Sequence, residues 1–392
     1  MKPRIKALSP EIATWRRDIH QHPELGFEEV RTANLVAEKL ESFGIDVHRG
    51  LAKTGVVGTL RSGNSSRVIG LRADMDALPM QEHNSFAHRS VYDHAMHACG
   101  HDGHTAMLLG AAQYLAQTRH FDGTVHFIFQ PAEEGLGGAD AMVKDGLFEQ
   151  FPVDEIYGLH NWPGLPVGEF AVCAGAMEAS SDYFDITIRG KGGHAAMPDQ
   201  ARDPIVIAGQ LIGLLQTITS RHVRPVDAAV VSITQINAGS AYNVIPETVT
   251  LHGNVRTLNP HNQECVRAQI EKLLHGLCDT CDASGELVYR KCIPVLINTE
   301  AETAKAAAVA RAVAGDDKVD SQCLPTMGAE DFAFMLQEKP GCYIFMGNGG
   351  DEQGASACVL HNPHYDFNDE AIEWGVQYWC QLVETLLKTA RT

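Results

Sequence analysis

The hydrophobic and polar positions of the chain predict short buried strands that alternate with amphipathic helices. Residues 125–129 and 155–159 are nearly continuous apolar runs, typical of strands buried on both faces of a sheet. Residues 105–118 place leucine and alanine on one face at helical spacing. Alternation of this kind indicates an α/β sheet. Further helices are predicted at 9–22 and 28–42, and further strands at 55–60 and 68–71.

The pattern changes near residue 180 and returns after Pro294. Between these points the predicted elements follow the order β-α-β-β-α-β, the ferredoxin-like motif. We therefore expect a discontinuous α/β domain of residues 1–180 and 293–392, into which an α+β domain of residues 181–292 is inserted. The inserted strands are predicted at 182–188, 228–236, 247–256 and 286–290, with helices at 204–220 and 262–278. The returning portion is predicted to hold helices near 300–314, 329–337 and 368–389 and a strand at 342–346.

Composition narrows the class of protein. The net charge of the 392 residues is −18, which argues against nucleic acid or an anionic membrane as a partner. No window approaches the ~20 apolar residues of a membrane helix, and no apolar run follows the basic residues at the N-terminus, as a signal peptide requires. Ten cysteines are spread thinly along the chain and are expected to be reduced. We expect a cytoplasmic protein.

Candidate metal ligands fall at the ends of the predicted strands. The nine residues from Met96 to His104 hold a thiol, three imidazoles and a carboxylate. Glu133 and Glu134 follow the strand at 125–129. Because ligands bind at the carboxyl ends of strands in open α/β sheets, all of these residues are expected to meet at one rim. Two divalent cations could share the set Cys99, His101, Glu134, His160 and His361, and Glu133 could take a proton from water.

Each of these residues could also have a purely structural role. Taken alone, paired glutamates favour a solvated helix start, and Cys99 favours a small buried apolar residue. His194, in a glycine-rich turn, is either part of a flexible loop or presented to a ligand, and Asn243 raises the same choice. Arg256 is either solvated or paired with a substrate carboxylate. The Cys278–Cys281 pair has no second pair and is taken as incidental.

Motifs along nearly the whole chain resemble the M20 family of metal-dependent amidohydrolases and peptidases. They resemble in particular the branch of hippurate hydrolases, N-acyl-amino-acid amidohydrolases and auxin-conjugate hydrolases. Each motif is weak alone, and their order and spacing make the set specific. The motifs are the runs Arg17–Glu24, Arg72–Pro79, Cys99–Asp102, Gln130–Gly135, Gly158–His160, Gly192–Ala196, Asn243–Pro246, Met327–Phe332 and His361–Pro363.

The resemblance implies a role for each candidate. Glu133 matches the general base, and Asp74 matches a carboxylate that orients the metal site. His194 matches the residue that stabilises the oxyanion, and in dimeric relatives it reaches the partner's active site. Asn243 and Arg256 match residues that hold the substrate's amide oxygen and carboxylate. The matched metal ligands are Cys99, His101, Glu134, His160 and His361.

The resemblance also implies the architecture and the partners. Residues 1–180 and 293–392 would form a catalytic domain of zinc-peptidase type, and 181–292 a lid and dimerisation domain. A homodimer or a dimer-based homo-oligomer is expected. Thiolate ligation favours zinc, cobalt or nickel, while relatives in this branch are often active with manganese, so the metal stays open among these four.

The predicted reaction is hydrolysis of an N-acyl amino acid to a carboxylic acid and a free amino acid. A dipeptidase or carboxypeptidase, or an N-acetyl-diaminopimelate deacetylase, would use the same site. Two further alternatives are a catalytically inactive binding protein on this fold and a hydrolase that uses Cys99 as its nucleophile. The complete ligand set and the presence of Glu133 argue against the binding protein, and the expected binding of Cys99 to metal argues against the thiol nucleophile.

Overall fold

The computed structural model describes residues 1–349 and 358–389. The helices are α1 (Lys2–Gln21), α2 (Val30–Ser42), α3 (His101–Thr118), α4 (Glu133–Leu136), α5 (Gly138–Lys144), α6 (Leu147–Gln150), α7 (Pro204–Arg221), α8 (Pro260–Thr280), α9 (Glu300–Ala314), α10 (Ala333–Glu338) and α11 (Ala371–Leu386). The strands are β1 (Asp46–Leu51), β2 (Gly55–Ser62), β3 (Val68–Asp74), β4 (Gly123–Gln130), β5 (Glu155–Pro163), β6 (Phe170–Ala171), β7 (Gly175–Glu178), β8 (Ser180–Arg189), β9 (Gly193–His194), β10 (Ala229–Ala238), β11 (Val244–Ile245), β12 (Thr248–Thr257), β13 (Ser284–Ile293), β14 (Leu296–Asn298), β15 (Val319–Asp320) and β16 (Gly341–Gly349).

The chain folds into two compact units. The larger takes Met1–Gly175, Ile297–Leu324 and the chain from Asp331 onward, and the smaller takes Ala176–Leu296 and Pro325–Glu330. The short return of Pro325–Glu330 to the smaller unit had no signal in the hydrophobic pattern. The lid and dimerisation roles of the inserted portion stay predictions.

The larger unit is built on an eight-stranded mixed sheet with the order β1-β2-β4-β3-β5-β16-β6-β15. Its centre is parallel, because β3 pairs in parallel with β4 and β5, and β5 pairs in parallel with β16. Strand β4 is buried almost throughout, as expected for a strand covered on both faces. The predicted α/β fold class is confirmed.

The register of the central strands determines where the site forms. Asp74 at the end of β3 pairs with Gln130 at the end of β4. Arg72 pairs with Gly158, so Asp74 is level with His160 of β5. The polar residues Asp74, Gln130 and His160 of three parallel strands therefore lie at the same edge of the sheet, as the sequence predicted.

The smaller unit holds a four-stranded antiparallel sheet with the order β10-β12-β8-β13. Helices α7 and α8 pack on this sheet through a core of their own. In chain order the elements follow the ferredoxin-like pattern. Strands β9 and β11 form a separate two-stranded ribbon.

Several predicted boundaries were wrong. Helix α1 begins at Lys2 and contains Pro10, because Ile5 is fully buried and packing extends the helix beyond the proline. Helix α3 begins four residues before the predicted position, so His101 is its first residue and not part of a loop. His160 likewise lies inside β5, which continues to Pro163.

Candidate metal centre

Gly100 positions the first two candidate ligands. Its backbone φ of +94° turns the chain into α3, which begins at His101, two residues after Cys99. A Cβ atom at this position would lie 2.1 Å from Oδ1 of Asn161. Only glycine combines the left-handed backbone with this close approach. Cys99 and His101 are both buried.

A sharp backbone turn positions the paired glutamates. Ala132 adopts a left-handed conformation (φ +55°, ψ +44°) between β4 and Glu133. Its N–H donates to Glu29 Oε1 at 2.8 Å, and its carbonyl accepts from the N–H of Gly138 at 2.9 Å. Burial raises the pKa of Glu29 to about 7, although its hydrogen bond from Thr54 acts in the other direction. Glu29 had no signal in the sequence that tied it to the site.

The structure brings the five predicted ligands together in two overlapping groups. The ligand atoms within each group lie within 4.8 Å of one another. Cys99 belongs to both groups, and its Sγ lies 3.4 Å from His160 Nε2. Glu134 Oε1 lies 3.3 Å from His361 Nε2. The groups are Cys99 with His101 and His160, and Cys99 with Glu134 and His361.

The two buried imidazoles are oriented as metal ligands. His101 Nδ1 donates to the carbonyl and the carboxylate of Asp76, at 2.9 and 3.2 Å. His160 Nδ1 donates to the carbonyl of Asn161 at 2.7 Å. Because these oxygens only accept hydrogen bonds, Nδ1 of each ring carries a proton, and Nε2, which faces the group, is the nitrogen left to bind a metal. Ligating histidines usually have such a partner behind them.

Unsatisfied buried atoms test whether the residues fit a metal. Among residues 1–349 and 358–389, His101 Nε2 and Glu134 Oε1 are buried and make no well-aligned hydrogen bond, although Glu134 Oε1 lies 3.3 Å from His361 Nε2. Such orphaned polar atoms are costly in a folded protein unless a ligand satisfies them. Both atoms belong to ligand groups and can bind a divalent cation. The donor set, with one thiolate, imidazoles and a carboxylate, therefore fits metal ions.

The charges around the site favour a cation. Burial raises the pKa of the Cys99 thiol well above its usual range, and the carboxylates of Glu134, Glu133 and Asp74 add to the effect. Burial would lower the pKa of His101, but the carboxylates of Asp74 and Asp76 raise it to about 10. For His160, burial lowers the pKa well below the usual value. A divalent cation would compensate this excess of negative charge and stabilise the thiolate.

Asp74, to which the resemblance gives an orienting role, lies beside the candidate ligand His101. It is fully buried, accepts from His104 Nδ1 at 2.6 Å and pairs with Arg72 Nη1 at 2.8 Å. Its Oδ2 lies 3.7 Å from His101 Nε2. Although burial raises the pKa of a carboxyl, His101 and Arg72 hold the pKa of Asp74 well below its usual range.

A buried charge network lies behind the first turn of α3. Asp102, the residue after His101, accepts from His20 Nδ1 at 2.9 Å and pairs with Arg16 Nη1 at 3.4 Å. His20 Nε2 also lies 3.2 Å from Glu82. Burial would lower the pKa of His20, but Asp102 and Glu82 raise it to about 9. The run that contains His20 contributed to the family resemblance, but no pattern linked it to Asp102.

The remaining predicted site residues belong to the smaller unit. His194 and Asn243 lie together on the exposed β9–β11 ribbon, where Val244 pairs with His194 and Ala195 N–H donates to the Asn243 carbonyl at 3.1 Å. Arg256 does not join them. It is near the far end of β12, opposite Ser181 of β8, whereas the ribbon follows the other end of β8 at Arg189. Its Nε donates to Asn254 Oδ1 at 3.0 Å.

Comparison with known proteins agrees with this geometry. Residues 70–385 match the model of peptidase family M20/M25/M40. Hippurate hydrolase from Campylobacter jejuni is 43% identical over 386 residues, which cover 98% of this chain and 99% of the relative. N-acetylcysteine deacetylase from Bacillus subtilis is 38% identical and covers 98% and 99%. The solved structure of the YXEP protein of Bacillus subtilis, described as a dinuclear metal-binding peptidase of the M20 family, superposes with a TM-score of 0.85. It is 35% identical, and the match covers 98% of this chain and all of the other.

A mixed sheet that carries overlapping thiolate, imidazole and carboxylate ligands at the end of its parallel strands defines a metal-dependent hydrolase. The chain belongs to the M20 family, in the branch that contains hippurate hydrolases, N-acyl-amino-acid deacetylases and auxin-conjugate hydrolases. It acts on amide bonds and binds two metal ions. In the described parts of the chain, no helix combines the length and apolarity needed to cross a membrane.

Proposed function

We propose that the protein hydrolyses N-acyl amino acids, such as hippurate or N-acetyl amino acids, to a carboxylic acid and a free amino acid. The observation that best supports this proposal is the position of Glu133. This carboxylate is buried, and it lies within 4.8 Å of the ligand atoms of His101 and Glu134 without belonging to either group that shares Cys99. A carboxylate beside the ligands, but not required as a ligand, is free to transfer protons.

The proposed reaction adds one water to one amide. Two bound divalent ions would polarise the carbonyl and make water nucleophilic near neutral pH. Glu133 takes a proton from the attacking water and delivers it to the leaving nitrogen, so that the amide C–N bond breaks and a carboxylate and an amine result. Cys99, His101, Glu134, His160 and His361 would hold the ions, and Asp74, which is bonded to His104 and Arg72, would orient the ligand His101.

His194, Asn243 and Arg256 are the substrate-binding residues in this proposal. His194 donates to the developing oxyanion and Asn243 to the amide oxygen. Their joint place on one exposed ribbon supports a shared role. Arg256 pairs with the substrate carboxylate through its guanidinium. For zinc, manganese, cobalt and nickel, the mixed thiolate, imidazole and carboxylate set is suitable, and we propose that the two ions are drawn from these four.

A homodimer is part of the same proposal. By strand rise, about 25 Å of β12 separate Arg256 from the ribbon end of the sheet, so one small substrate cannot contact both within one copy of the unit. A second copy of the chain would supply whichever of the two, Arg256 or the ribbon residues His194 and Asn243, the first copy cannot bring to the substrate. The surface supports this, because β10 is an edge strand that exposes Val230 and Ile236, and α7 exposes Val206 and Leu214.

We propose a cytoplasmic location. The chain carries ten cysteines spread thinly along its length, and four of them are buried. Such a distribution favours reduced thiols over a disulfide framework, as is typical of a reducing compartment.

The test compares Glu133→Gln with wild type on hippurate, N-acetyl amino acids and dipeptides, with each of the four metals supplied separately. We expect the wild type to prefer N-acyl amino acids, and turnover to vanish on chelation and return with metal. Glu133→Gln should lose about 10²–10⁴-fold in kcat while it keeps two metals per chain. The exposed Glu149→Gln is the matched control. Normal turnover of metal-loaded Glu133→Gln would refute the role of Glu133, and a preference for dipeptides would refute the substrate class.

A further inference from the structure

Asp331 occupies an unusual position beside the paired glutamates. Its side chain is fully buried, and each carboxylate oxygen accepts a hydrogen bond. Oδ1 accepts from Gln130 Nε2 at 2.8 Å, and Oδ2 accepts from the N–H of Ala139 at 2.9 Å. Gln130 ends β4 and Ala139 lies in the first turn of α5. A single carboxylate thus holds both ends of the segment that carries Glu133 and Glu134.

The backbone of Asp331 contacts Glu133 directly. Its N–H lies 3.3 Å from Glu133 Oε1 and donates to it. The backbone N–H of Asp331 therefore binds Glu133 in the middle of the segment, while the Asp331 side chain binds Gln130 and Ala139 at its two ends. These bonds matter because the left-handed Ala132 and the non-helical backbone of Glu134 and Gly135 interrupt regular helical structure in this segment.

Arg72 connects Asp331 to the metal ligands. Its Nη1 donates to Asp74 at 2.8 Å, and its Nη2 lies 3.3 Å from Asp331 Oδ1. The guanidinium is almost completely buried, and its carbon lies 5.6 Å from the centroid of the Phe332 ring. Since a planar guanidinium has fixed geometry, it sets the distance between the two carboxylates it binds.

We propose that Asp331 is a positioning residue that holds the carboxylate of Glu133 at the place where it transfers protons. The inference rests on the proposed function of Glu133. It assigns to Asp331 no contact with substrate or metal. Misplacement of a proton-transferring group by about 1 Å can cost 10²-fold in rate, so loss of this support should reduce kcat and leave substrate binding in place.

The competing explanation is that Asp331 only stabilises the fold. Glu155 provides the matched control, because it is also a buried carboxylate with several partners, including Tyr157 Oη at 2.5 Å and Lys305 Nζ at 2.8 Å. It begins β5, at the opposite end of that strand from His160. A residue that only stabilises should behave as Glu155 does.

The experiment compares Asp331→Asn, Asp331→Ala and Glu155→Gln for kcat, KM, metal content and thermal unfolding, with rates expressed per metal-loaded site. Asparagine retains one acceptor oxygen for Gln130 but cannot also accept from Ala139. We expect Asp331→Asn to lose about 10–100-fold in kcat, with KM within twofold and two metals per chain retained. Asp331→Ala should lose more, and Glu155→Gln should be less stable with unchanged kcat.

Two outcomes would overturn the inference. One is wild-type kcat per loaded site in Asp331→Asn with a fall in melting temperature like that of Glu155→Gln. The other is a rise in KM alone. Glu133→Gln, measured in parallel, separates this result from the proposed function: if Glu133→Gln is inactive while Asp331→Asn is fully active, only the positioning role fails.

Discussion

The carboxylate of Asp76 accepts a hydrogen bond from the backbone N–H of Glu134, with 2.9 Å between the two atoms. The other oxygen of the same carboxylate lies 3.2 Å from His101 Nδ1. Asp76 thus orients two candidate ligands that come from different elements, the start of α3 and the turn after β4. Because its carbonyl also accepts from His101, the residue fixes that imidazole twice.

Asp76→Asn is expected to weaken metal binding by about 10–100-fold, the usual effect of losing a partner behind a ligand. Asparagine has a single acceptor oxygen, so it cannot serve both His101 Nδ1 and the N–H of Glu134. Competition with a chromogenic chelator measures the change. Asp145→Asn is the control, because its carboxylate accepts from the N–H of Ala52, at 2.8 Å, and not from a candidate ligand among the described residues. Equal affinities in the two variants would contradict the prediction.

Gly100→Ala is expected to be much more damaging than Gly44→Ala. Both glycines have positive φ, +94° and +74°, so both substitutions carry the strain of a left-handed alanine, about 1–2 kcal/mol. Only at Gly100 does the new Cβ also meet Asn161, at 2.1 Å, whereas nothing lies within 4 Å at Gly44. Overpacking of this kind adds about 1–3 kcal/mol.

Urea unfolding of the two glycine variants should therefore differ by at least about 1 kcal/mol, and Gly100→Ala should also bind metal less tightly because His101 begins the helix that this glycine starts. Two variants of equal stability would show that Asn161 moves aside without cost.

His126 is expected to make the larger unit less stable in acid. It lies on β4, is almost completely buried, and its Nδ1 is 2.9 Å from Thr59 Oγ1. Burial lowers its pKa from 6.5 to about 4. Between these values the unfolded chain binds more protons, so this contribution is complete above pH 6.5 and is lost as the pH falls to 4. The loss amounts to about 3 kcal/mol.

The measurement is urea unfolding of metal-free wild type and His126→Gln at pH 4.5 and pH 7.5. Glutamine stays neutral and can still bond to the Thr59 hydroxyl, so the variant should lose less stability in acid than wild type does. The same pH dependence in both proteins would exclude His126 as the cause.

Ile236→Lys is expected to dissociate the proposed dimer. Ile236 is 51% exposed on β10, one edge of the small sheet, and a charge there opposes pairing with a second copy. Val288→Lys is the matched control, since Val288 is 45% exposed on β13, the opposite edge. Light scattering after size-exclusion chromatography gives the mass of each variant. If Val288→Lys dissociates and Ile236→Lys does not, the dimer uses the other edge.

The hydrophobic pattern was sufficient for the elements that bury a continuous face. Strands β3, β4 and β5 were predicted because short continuous apolar runs are typical of strands buried on both faces of a sheet. The parallel pairing of these strands brings Asp74, Glu134 and His160 to one edge. Helix boundaries were less predictable, because the first turn of α3 is formed by His101, Asp102, Gly103 and His104, which carry no apolar signal. These residues are buried by contacts that only the folded chain makes.

The supporting residues of the site could not be predicted for a related reason. Glu29 lies in none of the recognised motifs, and Asp331 lies in the Met327–Phe332 run without a role that the resemblance implies. About 300 positions separate the two residues, and nothing local marks either as buried. Their function depends on which backbone N–H groups lie nearby, Ala132 in one case and Ala139 in the other. Candidate ligands are recognisable by residue type, whereas residues that hold a backbone turn are recognisable only by their contacts.

The position of β16 has a consequence for synthesis of the chain. This strand lies between β5 and β6 in the large sheet, although nearly 180 residues separate it from β5 in sequence. His361 follows it, about two hundred residues after His160. A nascent chain therefore leaves this side of β5 unpaired until β16 has been synthesised, and unpaired edges are prone to aggregate. Chains that terminate between β5 and β16 should depend on chaperones or be degraded, and any chain that stops before His361 lacks the complete ligand set.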